Sequence, residues 1–355
     1  MNYKKKYKFQ KKIMYSAAVS IAVYILLIYI MPFDKFPVSM PSYTASQKMA
    51  KAMSVLRNYL NEKNISINKK TDPNLTGLIG THQTELTTSL GHLEAKRTTT
   101  NPNFAGLIVH LLTESGVHKN DKVAIGSSAS FPALMIASVC GVEAIGATPI
   151  TILSLGSSSY GANDPGFNLL HIYEVLLQEK VFSHQAAAIS LGGENDIGEN
   201  MNNQIKQQLI NQIRKSDIPF IFENTLRKSV QQRLHIYKKE ADPEEISAFI
   251  NCGGSLANLG TSSLILRLEP GLIHNAKIPE ENNRGVLFEM TSQGIPCIHL
   301  LYIKGLVRKY NLEWDPVPLP RPKGYSGIEL ENKNSIILLI TGVVYLAILA
   351  FIINK

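Results

Sequence analysis

Cysteine is scarce in this chain, which leaves little scope for disulfide or thiolate–metal chemistry. The three cysteines, Cys140, Cys252 and Cys297, are an odd number, and although one disulfide is possible, nothing in their spacing requires it. No Cys/His spacing matches a zinc site. The sequence therefore predicts neither a metal nor a cofactor.

Charged residues are also few, and glycine and proline are not enriched. Charged residues make up 18% of the chain and hydrophobic residues 45%, which is too apolar for a disordered protein. The 24 glycines and 17 prolines are ordinary for 355 residues and exclude collagen-like and low-complexity sequences. The length suits one large domain or two ordinary ones.

The net charge of +8 is distributed unevenly along the chain. Residues 1–12 contain six lysines and no acid, and residues 13–70 contain seven basic and two acidic residues. Residues 71–334 contain 22 basic and 26 acidic residues, so the main body is mildly acidic. This distribution indicates membrane topology and argues against a nucleic-acid partner.

Two uncharged runs of 19 residues predict a pair of transmembrane helices at 13–31 and 335–353. For the first run the alternative is a cleaved signal peptide, but the run is longer than usual and has no A-x-A-like site. The lysine tail (1–12) predicts a cytoplasmic N-terminus. We therefore expect a two-pass, membrane-embedded protein of the cell membrane with both termini cytoplasmic and the main domain extracytoplasmic.

Between these runs the sequence predicts three regions. Residues 32–73 contain an amphipathic segment and form a membrane-proximal stalk helix, residues 74–313 form an α/β domain, and residues 314–334 form a proline-rich spacer. In the α/β domain, short apolar runs alternate with helical segments, which predicts a mostly parallel, doubly wound sheet. The predicted strands are KVAIG (122–126), TPITILSL (148–155), AAAISLGG (186–193), PFIFE (219–223) and ISAFINCGG (246–254), and the runs GVLFEM (285–290) and IPCIHLL (295–301) frame the last strand region.

Four loops that follow predicted strands are rich in small and hydroxyl residues. They span residues 126–130, 156–164, 192–196 and 251–255. Ligands of open α/β sheets bind beyond the carboxyl ends of the strands, and helix N-termini there favour anions. The candidate ligand-binding residues in these loops are Ser127, Ser130, Ser157, Ser158, Asn163, Asn251, Gly253 and Gly254.

The first loop also partly matches a nucleophile elbow, G-x-S-x-G, although Ser130 occupies the last glycine position. In this interpretation Ser128 attacks an amide; the alternative is a helix cap or an anion ligand. A nucleophilic serine needs a base and an orienting acid. The candidates are His82, His92, Lys96, Asp164 and Glu194, and nothing in their spacing selects among them.

Two further pairs of charged residues have alternative interpretations. Glu194 and Asp196 follow a Gly-Gly turn and are acid/base groups, cation ligands or caps of the next helix. Lys96 and Arg97 are either an exposed pair or contacts for a carboxylate ligand, which arginine can bind with two hydrogen bonds.

Several long strings resemble the poly-gamma-glutamate system protein family. They are GLIGTHQTELTTSLGHLEAKRTTTNPNFAGLIVHLL (77–112), KVAIGSSASFPALMIA (122–137), SLGSSSYGANDP (154–165), SLGGENDIG (190–198) and INCGGSLANLG (250–260). The resemblance implies a membrane-anchored accessory component of poly-gamma-glutamate synthesis. Its implied partners are the synthase ligase, a multispan membrane subunit and the polyanionic γ-glutamyl polymer.

The resemblance implies no particular catalytic residue, so the sequence leaves the function open. One hypothesis is an accessory subunit of a synthesis and export complex that binds or guides the emerging polymer. The alternative is an extracytoplasmic serine-type amidohydrolase or transpeptidase that trims, releases or anchors the polymer at its γ-amide bonds. A small-molecule receptor is a third hypothesis, which the expected fold alone cannot support.

Overall fold

The computed structural model describes residues 3–30, 38–327 and 329–354, and these residues form two compact units. One unit contains the two ends of the chain, Met1–Pro37 and Ser326–Lys355, and the other is Val38–Tyr325. Residues 1–2, 31–37, 328 and 355, which include parts of the predicted tail, first membrane helix, stalk and spacer, lie outside the described residues.

The described residues form the following strands and helices. The strands are β1 (Thr87–Ser89), β2 (Lys122–Ser128), β3 (Thr148–Ser154), β4 (Ser157–Ser158), β5 (Asn163–Asp164), β6 (Phe167–Asn168), β7 (Ala188–Ser190), β8 (Phe220–Ile221), β9 (Ile246–Cys252), β10 (Gly271–Ile273) and β11 (Cys297–His299). The α-helices are α1 (Tyr3–Ile30), α2 (Met40–Glu62), α3 (Leu93–Thr99), α4 (Asn103–Glu114), α5 (Pro132–Ile145), α6 (Leu169–Gln178), α7 (Asn203–Lys215), α8 (Leu226–Ala241), α9 (Leu256–Leu259), α10 (Val286–Ser292), α11 (Ile303–Lys309) and α12 (Glu329–Asn354). Short 3-10 helices cover Glu194–Asp196, Ser263–Arg267 and Glu281–Asn283.

The terminal unit is an antiparallel pair of helices, α1 and α12. Lys12 Nζ donates to the Ile353 carbonyl over 2.6 Å, and eight residues further along α1 the Ser20 and Tyr345 hydroxyls are 2.8 Å apart. Both helices expose large apolar side chains, including Ile21 and Phe351.

The described parts of the chain contain no helix with both the length and the apolar character that crossing a bilayer demands. For these residues the prediction of flanking membrane helices at 13–31 and 335–353 is therefore wrong, as are the two-pass topology and the extracytoplasmic placement that rested on it. The prediction was based on the length of the two uncharged runs. Helix α1 is continuous through Lys11 and Lys12, and the hydroxyls of Ser16 and Ser20 lie among its apolar residues.

The second unit contains the α/β fold that the sequence predicts. Seven strands form one sheet in the order β10-β11-β9-β2-β3-β7-β8. Neighbouring strands are parallel except β10, which pairs antiparallel with β11 at one edge. In chain order, β2, β3, β7 and β8 lie successively closer to one edge of the sheet. The next strand of this sheet, β9, lies on the other side of β2. The strand order therefore reverses between β2 and β9, which makes this the switch point of the sheet.

Helices cover both faces of this sheet. On one face α5 contacts β2 and β3, and α2 and α4 pack on α5 as an outer layer. On the other face α8 and α10 pack on residues that alternate along the strands, such as Ile150 and Ile152 on β3 and Phe249 on β9. Tyr237 of α8 lies fully buried in this second core and donates its hydroxyl proton to the Ile125 carbonyl over 3.0 Å.

Local sequence explains where several helices begin and end. Asn168, Asn202 and Thr225 precede α6, α7 and α8, and each side chain accepts a backbone N–H of the first turn. Helix α5 starts with Pro132 and ends at Gly146, whose φ of 83° lies in the left-handed region that favours glycine.

Helix α2, which lies in the predicted stalk, buries Met49, Leu56 and other residues against α4 and α5. Two other elements differ from the sequence-based expectation. The segment 314–325, predicted as an extended spacer, packs on the same unit, where Asn74 donates to the Pro316 carbonyl over 2.8 Å. The run at 285–290 is predicted to frame a strand, but residues 286–292 form helix α10. The apolar side chains of this helix pack on one face of the sheet.

Candidate functional site

A cavity of about 480 Å³ lies at the carboxyl edge of the sheet, beside the switch point between β2 and β9. This is where ligands bind in open α/β sheets. It is lined by Thr88, Ser89, Leu90, Ser128, Ser130, Phe131, Ser154, Gly156, Ser158, Gly192, Gly193, Glu194, Asn200, Gly254, Ser255, Leu256 and Leu301. All four loops selected from the sequence contribute to this lining, together with the segment 88–90.

Glycines allow two of these loops to approach each other closely. A Cβ atom added at Gly156 would lie 2.7 Å from the backbone nitrogen of Gly193. Gly156 N–H donates to the Leu191 carbonyl over 2.7 Å, which joins the loop after β3 to the loop after β7. Any side chain at position 156 would separate the two loops.

One wall of the cavity contains a serine in contact with a buried lysine. Lys96 Nζ lies 2.6 Å from Ser158 Oγ and also donates to the Ser130 carbonyl. Ser158 lines the cavity, whereas Lys96 lies behind it and is 2% exposed. Ser158 N–H donates to Ser130 Oγ over 3.0 Å, which fixes the backbone that carries the Ser158 hydroxyl.

Burial and the lack of an ion pair favour the neutral amine of Lys96. None of the described carboxylates forms an ion pair with its Nζ, although the Phe131 ring, whose centre lies 3.6 Å away, favours the ammonium form. Burial lowers the pKa of Lys96 from 10.5 to about 7, because the ammonium group loses hydration that its neighbours replace only in part. Near neutral pH, therefore, a substantial fraction of Lys96 can accept a proton from Ser158.

A second buried cation lies behind a different serine of the cavity. Arg233 is fully buried, and its Nη2 donates to Ser154 Oγ at 3.0 Å and to Ser190 Oγ and Asp196 Oδ2 at 2.7 Å. Asp196, which is 1% exposed, also accepts from the hydroxyls of Ser190 and Ser229. Asp196 therefore pairs with the buried guanidinium of Arg233, whereas Lys96 has no carboxylate partner among the described residues.

The Ser128 hydroxyl has neither a base nor any other hydrogen-bond partner among the described residues, although Ser128 lines the cavity. It faces Gly253, whose φ is 105° and where an added Cβ would lie 2.3 Å from Ser128 Oγ. Nearby, Asn251 Nδ2 lies 3.2 Å from His299 Nδ1. Burial lowers the pKa of His299 to about 4, so this imidazole is neutral at physiological pH.

The structure brings only some of the predicted residues to the cavity. Ser128, Ser130, Ser158, Glu194 and Gly254 line it, and Lys96 lies directly behind its wall. Ser127, Ser157, Asn163, Asn251 and Gly253 do not line it. Of these, Asn163 joins the loop after β3 to the segment 81–87 by donating to the Thr81 carbonyl and to Thr87 Oγ1. Ser157 donates to the Ala129 carbonyl.

The predicted base and acid for Ser128 lie elsewhere. His82 is exposed and packs edge-on against Tyr160, with the ring centroids 5.6 Å apart. Asp164 is exposed at the end of β5 and accepts from Gly166 N–H over 2.8 Å. Glu194 is exposed at the rim of the cavity. The structure therefore does not assemble Ser128, His82 and Asp164 into a triad.

Arg97 is not available to a ligand in the cavity. Its Nε and Nη2 bind the two carboxylate oxygens of Asp315 at 2.7 and 2.5 Å. The hydrogen bonds that Arg97 donates to Asp315 raise the pKa of Arg97. This ion pair attaches the segment after α11 to helix α3, so Arg97 has a structural contact where the sequence suggested a ligand contact.

Sequence reasoning missed Ser154 and Arg233, and it included Ser255 only as part of the loop 251–255. Ser154 is the last residue of β3, and the rule that strand ends carry ligand groups could have selected it. Arg233 lies in α8 among lysines, glutamines and a second arginine, and nothing in that pattern distinguishes a buried arginine from an exposed one.

The chain was compared with protein-family models, with curated proteins and with solved structures, and no match was found. Among the described residues, no group of three or more His, Cys, Asp or Glu side chains is placed to hold a metal ion.

Proposed function

We propose that the cavity is an acyl-transfer site in which Ser158 is the nucleophile and Lys96 the general base. The observation that carries the proposal is the 2.6 Å contact between Lys96 Nζ and Ser158 Oγ at the cavity wall. A serine hydroxyl becomes a nucleophile when an adjacent base takes its proton, and serine–lysine pairs are a known variant of this arrangement.

The proposed chemistry has two steps. Lys96 accepts the Ser158 proton while Ser158 Oγ bonds to the carbonyl carbon of an amide, and the resulting ammonium returns that proton to the leaving amine as the C–N bond breaks. Water then attacks the ester and restores the serine, which is hydrolysis. If a second amine attacks the ester instead, the result is transpeptidation.

For the substrate we propose a γ-glutamyl amide, on the basis of the sequence resemblance to the poly-gamma-glutamate system proteins. In this proposal the chain works beside the ligase and the multispan protein of poly-gamma-glutamate synthesis, and it trims or transfers the polymer. The lining of the cavity, with its serines, glycines and an asparagine, suits a ligand rich in amides and carboxylates.

A fluorophosphonate probe, which forms a covalent bond with activated serines, tests the nucleophile without assuming the substrate. We expect peptide mass spectrometry to find the probe on Ser158, and Lys96→Arg to slow labelling at least about 100-fold, because general-base catalysis contributes 10²–10⁴-fold. Ser46→Ala, which removes a buried hydroxyl of α2, is the matched control and should label normally. Failure to label Ser158, or equal labelling in Lys96→Arg, would refute the proposal.

A second candidate function, binding of the polymer without chemistry, is favoured by the other contacts of Lys96. The Ser130 carbonyl and the Phe131 ring both hold its ammonium form. In that case a γ-glutamyl oligomer would bind to the wild-type chain, remain intact on prolonged incubation, and bind equally well to Ser158→Ala.

A further inference from the structure

The cavity contains a second set of hydroxyls, Ser128, Ser154 and Ser255, which the proposed acyl transfer does not use. We propose that these three side chains form a subsite for a carboxylate group of the ligand, with Arg233 behind it. The inference depends on the proposed γ-glutamyl substrate for the choice of ligand, because each unit of that polymer keeps one free carboxylate.

Ser154 is arranged as a hydrogen-bond donor. Its Oγ accepts from the guanidinium of Arg233 over 3.0 Å, and a hydroxyl that accepts from a cation donates its own proton more strongly. On the cavity side, the Ser255 hydroxyl lies at 3.5 Å, the limit of a hydrogen bond. An anionic oxygen in the cavity would be a better acceptor than Ser255.

Ser128 supplies a donor that the protein itself leaves unused. The residue is 3% exposed, and its Oγ has no partner among the described residues. An unsatisfied buried polar group is unfavourable, and a ligand oxygen that accepts from it would satisfy it. Gly253 lies directly against Ser128 Oγ, and any side chain at position 253 would collide with it.

The charges around the cavity favour its floor over its mouth as the place for a carboxylate. None of the described lining residues is basic, and the guanidinium of Arg233 lies behind Ser154 at the floor. Asp196 balances the Arg233 charge, so the serine hydroxyls must supply the direct contacts. Glu194, exposed at the rim, disfavours a carboxylate at the mouth and so favours the floor.

The test compares two ligands on the Ser158→Ala chain, which cannot turn them over. The probes are a trimer of γ-linked glutamate and the same trimer with its α-carboxylates converted to neutral carboxamides. Titration calorimetry at pH 8 should show the carboxylate trimer binding at least about tenfold more tightly, because hydrogen bonds to a charged group are stronger than those to a neutral amide.

Ser128→Ala and Ser154→Ala, each made in the Ser158→Ala chain, should each remove most of this preference. Ser46→Ala is the matched control: it also removes a buried hydroxyl without a partner, but from α2, and should keep the preference. Equal affinity for the two trimers, or no binding of either, would overturn the carboxylate subsite. No binding of either trimer would also contradict the proposed γ-glutamyl substrate, whereas the Ser158 nucleophile is decided separately by fluorophosphonate labelling.

Discussion

Replacing Lys96 with methionine tests whether this lysine is neutral in the folded protein, independently of any function. The pKa of Lys96 falls from 10.5 to about 7 on burial. Each unit of pKa difference corresponds to 1.36 kcal/mol, so the buried amine loses on the order of 5 kcal/mol of folding stability between pH 10.5 and pH 7.

The sign follows from proton binding in the two states. Between about pH 7 and 10.5 the unfolded chain holds a proton on Lys96 that the folded chain lacks, so the stability contribution of Lys96 is complete above pH 10.5 and is lost as the pH falls to about 7. Wild-type stability should therefore rise relative to Lys96→Met by about 1.4 kcal/mol per pH unit between pH 8 and 10.

The measurement is urea unfolding of both proteins at pH 7, 8, 9 and 10. Lys96→Met also removes the contacts with Ser158 and the Ser130 carbonyl, but that loss shifts the difference between the two proteins equally at every pH. The slope therefore isolates the ionisation of Lys96. A difference in unfolding free energy that stays constant across this range would refute the assignment of a neutral Lys96 and the general-base role that requires it.

Three further predictions follow from the same contacts. Because only the neutral amine is a base, kcat/KM for a γ-glutamyl oligomer should rise about tenfold per pH unit below pH 7 and level off above it; a profile without this bend would contradict the mechanism. Asp196→Ala strands the buried Arg233 charge and should cost about 3–5 kcal/mol in urea unfolding, whereas Asp315→Ala at the partly exposed Arg97 pair should cost about 1 kcal/mol; equal costs would contradict the burial argument. Gly156→Ala should lower the melting temperature because its Cβ would lie 2.7 Å from Gly193 N, whereas Gly254→Ala meets no atom within 4 Å and should not; the reverse order would contradict the packing of the two loops.

The sequence predicts the sheet well because its central strands are short apolar runs that match the period of buried parallel strands. The runs at 122–126, 148–155 and 246–254 correspond to β2, β3 and β9, and the loops after them meet at one edge. Local pattern could not predict which serine has a base. Lys96 reaches Ser158 because the short strand β1, just before α3, pairs with β4 outside the main sheet.

The sequence also could not show which polar side chains are buried, because burial depends on contacts with distant parts of the chain. Lys96 and Arg97 are neighbours in sequence, yet one enters the interior behind Ser158 and the other pairs with Asp315, more than 200 residues away. The apolar stripe of α2 predicts a helix with one buried face, and that face packs on the helical layer of the α/β fold.

The two ends of the Val38–Tyr325 unit meet through side-chain hydrogen bonds. Ser42 Oγ accepts from Tyr325 N–H over 2.8 Å and donates to the Tyr325 carbonyl over 3.1 Å, while Asn103 Oδ1 accepts from Lys323 N–H over 2.9 Å. The unit is therefore nearly a closed ring of chain. A short linker from residue 325 to residue 38 would allow new termini at the surface turn of Gly294, and such a circular permutant should fold with its cavity intact.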